Sequence, residues 1–125
     1  MNGSDSVQGA LPLLVLKILS RRGLLHGYGI TTRIEEISEE MLSVEEGSFY
    51  PALHRMEESG WVSAKWVITD NKRRARVYEI TAAGRKQWKE IEGRWRAVTA
   101  AVGQVLQRAQ EQRFWRSHVL VFTSR

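Results

Sequence analysis

Apolar residues crowd the chain from Gln8 to Ser20. Leu11, Leu13, Leu14, Val15, Leu16, Ile18 and Leu19 occupy nearly every side of a helical projection, which predicts a buried helix. Pro12 is expected in its first turn, where a missing amide hydrogen costs nothing, and Arg21-Arg22-Gly23 supplies the cations and glycine of a helix end. From Gly27, a possible N-cap, Ile30, Ile34, Ile37 and Met41 recur at helical spacing and predict a second helix. Its other side carries Glu35, Glu36, Glu39 and Glu40; with no His or Asp beside them to complete a metal or acid–base site, they read as a solvated face. Ser43-Val-Glu-Glu46 fits a capping box, and a third helix is predicted from there to about Ser59, with Phe49, Leu53 and Met56 inward. Pro51 falls inside this helix, and Gly47, four residues before it, leaves room for a local kink.

From Trp61 the period changes. Trp61, Val62, Trp66, Val67 and Ile68, then Val77, Tyr78 and Ile80, form two strand-like runs around the polar turn Asp70-Asn71-Lys72-Arg73-Arg74, which predicts a β-hairpin. Thr81 is placed to cap a long helix in which Trp88, Ile91, Trp95, Val98, Val102, Val105 and Ala109 are spaced 3, 4, 3, 4, 3, 4, a heptad seam. Arg113 to Arg125 departs from this, and Val119 to Phe122 reads as a short strand or a sticky tail.

Composition narrows the class. The 125 residues suffice for one compact domain with an appendage, and a 42% hydrophobic content supports a real core. With no cysteines the chain has no disulfide scaffold, thiolate metal site or Cys nucleophile, which fits a cytoplasmic protein. Neither a signal peptide nor an apolar run of membrane-spanning length is present, so no membrane partner is expected. Charge is unevenly placed: residues 1–60 carry five Lys/Arg against nine Asp/Glu, and residues 61–125 carry fourteen against five. A one-sided basic excess points to a polyanion, nucleic acid first.

Three short helices, a β-hairpin and a long helix form the order of a winged helix-turn-helix, a mainly α fold with a small β-hairpin (α+β), in which the third helix enters the major groove. Residues 8–81 are assigned to this DNA-binding domain, 82–112 to a dimerisation helix and 113–125 to a tail. The hairpin cations Lys72, Arg73, Arg74 and Arg76 suit a wing on double-stranded DNA. On the third helix, Arg55 can donate two bonds to guanine, while Ser48, Tyr50 and His54 can bond base edges or phosphate. Its four glutamates, Glu45, Glu46, Glu57 and Glu58, leave the Coulomb attraction to the wing. The seam residues Trp88, Ile91, Trp95, Val98, Val102 and Val105 predict a homodimer, although part of the stripe can fold back on its own domain near Trp88.

Three segments carry a resemblance: Leu25 to Ile30, Leu42 to Trp61, and Asn71 to Gly84. In this order and spacing they resemble the PadR family of transcriptional regulators, in its short form with a single C-terminal helix. The resemblance implies a dimeric repressor of genes for detoxification, phenolic stress or export. It places the family's DNA-facing tyrosine and proline on Tyr50 and Pro51, and its basic wing on Lys72 to Arg76. It also implies, at Trp95, the tryptophan that multidrug-sensing members stack on planar aromatic ligands. An enzyme is not expected: His26, His54 and His118 lack metal-ligand spacing, no glycine-rich phosphate loop is present, and neither a metal nor a cofactor is called for. The remaining alternative is an interaction module, whose wing grips an acidic protein and whose helix zips to a partner.

Overall fold

The computed structural model describes residues 3–111, with side chains from residue 9 onward. Its elements run α1 (Gly3–Arg22), β1 (Leu25–His26), α2 (Gly27–Ile37), α3 (Glu46–Glu58), β2 (Val62–Ile68), β3 (Arg74–Ile80) and α4 (Ala82–Gln110). The expected strand at Val119 to Phe122 and the rest of the tail lie outside the described residues. Two compact units divide the chain, one ending at Ile91 and the other beginning at Glu92.

The first unit is built on one core. Leu11, Val15, Leu16 and Leu19 of α1, Ile30 and Ile34 of α2, and Phe49, Ala52, Leu53 and Met56 of α3 are buried together with Val62 and Tyr78 of the sheet. The helix-turn-helix and the hairpin therefore share a single hydrophobic centre, which fixes α3 relative to the wing. The sheet has three antiparallel strands in the order β1-β3-β2, whereas the sequence predicts only the hairpin. β1 pairs Leu25 with Tyr78 and His26 with Val77, and two residues are too few to leave a period-2 signal.

Several local expectations are corrected. α1 begins at Gly3, so Pro12 lies inside it and not in its first turn; no proline or other breaker stands in Ser4 to Gln8 to hold the start back. Its end is as expected: the Gly23 amide donates to the Leu19 carbonyl and Gly23 takes a left-handed φ of 80°. His26 is the N-cap of α2, and Gly27 is the first helical residue. α2 stops at Ile37, and Glu39 and Glu40 then turn the chain through left-handed φ values of 53° and 65°. The inward stripe is thus cut to Ile30 and Ile34, and Met41 is 82% exposed. The capping box does not form. α3 starts at Glu46 and its N-cap is Glu45, without a side-chain cap bond, so Ser43 stands two residues ahead of the cap position. The loop is held instead by a Glu35 carboxylate oxygen, which accepts the Val44 amide at 3.3 Å, and by half-buried Leu42 and Val44 against the core.

Thr81 caps α4 as its position predicts. Its hydroxyl accepts the Gly84 amide at 3.0 Å and donates to the Gly60 carbonyl at 2.6 Å, tying the helix start to the end of α3. Gly84 is buried there, and a Cβ at this position would overlap the Trp61 carbonyl oxygen. Trp88 and Ile91 pack against the core of the first unit, and the Lys17 ammonium sits 4.1 Å from the Trp88 ring centre. In the second unit the helix carries Trp95, 38% exposed, and Val98, Val102 and Val105, each more than half exposed.

Candidate nucleic-acid interface

The amphipathic pattern of α3 decides which residues it offers to a partner. Phe49, Ala52, Leu53 and Met56 are buried, which turns Tyr50, Pro51, His54 and Arg55 to the surface and leaves Ser48 half-buried. Pro51 is accommodated on the exposed side, opposite the core. The His54 imidazole lies 3.8 Å from the Glu58 carboxylate one turn on.

Tyr50 is held more firmly than its exposure implies. Its ring meets Phe49 edge-on at 5.0 Å between centres and lies against the first residue of α2. A Cβ on Gly27 would stand 2.8 Å from the Tyr50 ring and 2.9 Å from its hydroxyl. The glycine at position 27 is therefore the seat of the tyrosine at position 50, a relation between two helices that the sequence does not announce.

The wing departs from the predicted turn by one residue. β2 and β3 pair from Val62↔Ile80 to Ile68↔Arg74, so Arg74 is the first residue of β3 and not the end of the turn. The connection is closed by the Lys72 amide donating to the Thr69 carbonyl and the Thr69 amide donating to the Arg73 carbonyl, each at 2.9 Å, with Lys72 at a left-handed φ of 59°. Lys72 and Arg73 thus occupy the tip, and Arg74 and Arg76 stand on the strand. The two strand arginines lie over the Trp66 ring, at 4.5 Å and 5.7 Å from its centre. Arg76 also donates to the Glu57 carboxylate at 2.7 Å, a charge-assisted bond from the wing to α3.

The expected DNA-binding residues fall into two groups on one unit, five on α3 and four on the wing. Among the described residues Arg55, Lys72 and Arg73 make no ion pair, so their charge is open to a ligand, while that of Arg76 is shared with Glu57. Burial raises the Tyr78 phenol above its ordinary pKa, and nearby Arg76 opposes the shift. Sequence reasoning missed Glu57, Trp66 and Gly27 as parts of this surface. For Trp66 the signal was available in principle: a turn placed one residue earlier sets it opposite Arg76.

Of the residues expected at a dimer seam, Trp88 and Ile91 are half-buried against the winged-helix core, and Trp95, Val98, Val102 and Val105 are exposed. No helix among the described residues is long and apolar enough to cross a membrane.

Comparison with known proteins agrees with this architecture. The family model of the transcriptional regulator PadR-like family matches residues 15–90. The chain is similar to the negative transcriptional regulator PadR of Bacillus subtilis, 28% identical over 69 residues that cover 55% of this chain and 38% of that protein. It is also similar to a transcriptional regulator of Mycobacterium tuberculosis, 38% identical over 61 residues that cover 49% of this chain and 53% of that protein. The chain thus spans about half the length, or less, of these two curated relatives. A solved transcriptional regulator from Clostridium thermocellum has the same fold, with a TM-score of 0.73 and 26% identity over 81% of this chain and 97% of that one. With the family model matched over more than half of its length, the chain belongs to the PadR-like family of transcriptional regulators.

Proposed function

We propose that the chain is a repressor that binds an inverted-repeat operator as a homodimer, with α3 in the major groove and the wing along the adjacent backbone. The observation that carries this reading is the pairing, on one unit, of an outward face of α3 with a basic wing whose tip cations are unpaired. Arg55, helped by Ser48, Tyr50 and His54, reads bases, and Lys72, Arg73, Arg74 and Arg76 supply Coulomb attraction. Repression rather than activation is supported by the printed name of the Bacillus subtilis relative. The dimer is supported by the exposed seam of Trp95, Val98, Val102 and Val105, an apolar stripe that a monomer leaves wet. Action on a chromosome places the protein in the cytoplasm.

The two groups predict different losses, measured by anisotropy on the chain's own upstream duplex and on a scrambled one. Arg55→Ala should cost about 1–3 kcal/mol on the specific duplex and little on the scrambled one. Replacing Arg73 and Arg74 by Ala should weaken both alike and flatten the salt slope by roughly one unit per lost phosphate contact. Binding that ignores salt would return the chain to the class of protein-interaction modules.

A second reading concerns Trp95. Its half-open ring, paired across a dimer seam, suits a flat aromatic effector, neutral or cationic. Such a ligand releases DNA only if it prefers one spacing of the two reading heads. Titration of wild type and Trp95→Ala with planar aromatic cations, followed by tryptophan fluorescence, tests it; equal quenching in both leaves Trp95 as packing.

A further inference from the structure

The hairpin register sorts the wing into two faces. Directly opposed residues and every second residue along a strand share a face, so Val62, Ala64, Trp66 and Ile68 lie with Ile80, Tyr78, Arg76 and Arg74. The base of this face belongs to the core: Val62 and Tyr78 are buried, and Ala64 and Ile80 pack against them. Towards the tip the same face leaves the core, and Trp66 is 54% and Ile68 76% exposed. It faces the side on which α3 lies, because Glu57 of α3 reaches Arg76. An apolar patch two residues long is therefore rimmed by Arg74 and Arg76 and continues toward the surface that α3 presents.

We propose that Trp66 and Ile68 are DNA-contacting residues: an apolar seat on the α3-facing side of the wing that takes the deoxyribose of the groove wall while Arg74 and Arg76 take the flanking phosphates. The occupant follows from charge and chemistry. The rim is cationic and the centre apolar, and a nucleic-acid backbone alternates anionic phosphates with sugars that offer C–H surface. Trp66 has a second task, since its ring carries both guanidinium groups and so holds them beside the seat. Ile68 has no such task, and its 76% exposure at the end of β2 is left to a partner.

The inference rests on the reading that α3 and the wing bind duplex DNA, and the test separates the two. Full-length wild type, Ile68→Thr, Trp66→Thr and Arg73→Ala are titrated with the labelled upstream duplex over a series of salt concentrations. Threonine is β-branched and suits a strand at either position, and thermal melting confirms that each variant folds. The expected result is a roughly threefold to tenfold weaker affinity for Ile68→Thr and Trp66→Thr at every salt concentration. For Ile68→Thr the slope against salt should stay that of wild type, because no phosphate contact is lost; Arg73→Ala should flatten it by roughly one unit. Wild-type affinity in Ile68→Thr, or a slope that flattens with it, overturns the apolar seat while leaving the arginine result standing. A change in the sedimentation of free Ile68→Thr with unchanged DNA affinity also overturns it and makes the patch a self-association face. If wild type binds no duplex at any salt, the DNA reading itself fails and the seat falls with it.

Discussion

The two halves of α4 carry one heptad repeat and meet different surroundings. Trp88 and Ile91 are half-buried against the winged-helix core, and Lys17 lies over the Trp88 ring. The next seam residue, Trp95, is exposed, as are Val98, Val102 and Val105 beyond it. The spacing of apolar residues is unbroken across the change. Periodicity thus states that a face must be covered and is silent on what covers it. In the first half the cover is the chain's own core, and in the second half we propose a second copy of the chain.

That contrast breaks most visibly in the outer half. Replacing Val98 and Val102 by Asp would set four carboxylates in a paired seam, and dimerisation should weaken by more than about a hundredfold. Sedimentation should show monomers, operator binding should be lost, and the melting of the winged-helix unit should stay close to wild type. A protein that remains dimeric would mean the outer seam is not the interface.

A smaller effect of opposite character is expected in the inner half. Trp88→Ala removes a half-buried ring from the core and should destabilise the winged-helix unit by about 2–3 kcal/mol, read as a lower melting temperature. The variant should still dimerise at temperatures where it is folded. Loss of dimer in the folded variant would move Trp88 into the interface and erase the distinction between the halves.

The smallest change sharpens the inner half alone. Lys17→Met keeps the length of the side chain and removes the charge over Trp88, so the unit should lose about 0.5–1 kcal/mol. Chemical denaturation resolves a shift of this size, and an unchanged midpoint would reduce the contact to proximity.

The same split between local pattern and tertiary cover explains what was legible in the sequence. The core face of α3 could be read because Phe49, Leu53 and Met56 obey one period over the whole helix, and the cap at Thr81 because its partner Gly84 is three residues away. The capping box at Ser43 failed although its letters fit, because the start of α3 is set by Leu42 and Val44 packing on the core. Ile37 and Met41 fit a helical stripe that ends early, where Glu39 and Glu40 turn the chain. The bond from Arg76 to Glu57 joins residues nineteen apart on different elements, and no local rule points to it. The wing was legible as charge and not as a set of cross-strand partners, since a turn one residue earlier than predicted slides the pairing by two and sets Trp66 opposite Arg76 in place of Tyr78.

The contact between Gly27 and Tyr50 bears on how such a protein can acquire a new operator. The three atoms nearest a methyl group at position 27 all belong to the far end of the tyrosine ring, so Gly27→Ala should displace that ring before it disturbs the backbone. A side chain that we propose reads DNA would then be re-aimed from another helix, without any change in α3 itself. Conversely, a smaller residue at position 50 would free position 27 from its need for glycine. In directed evolution of binding preference the two positions form a single unit of variation, and libraries that randomise α3 alone would sample half of it.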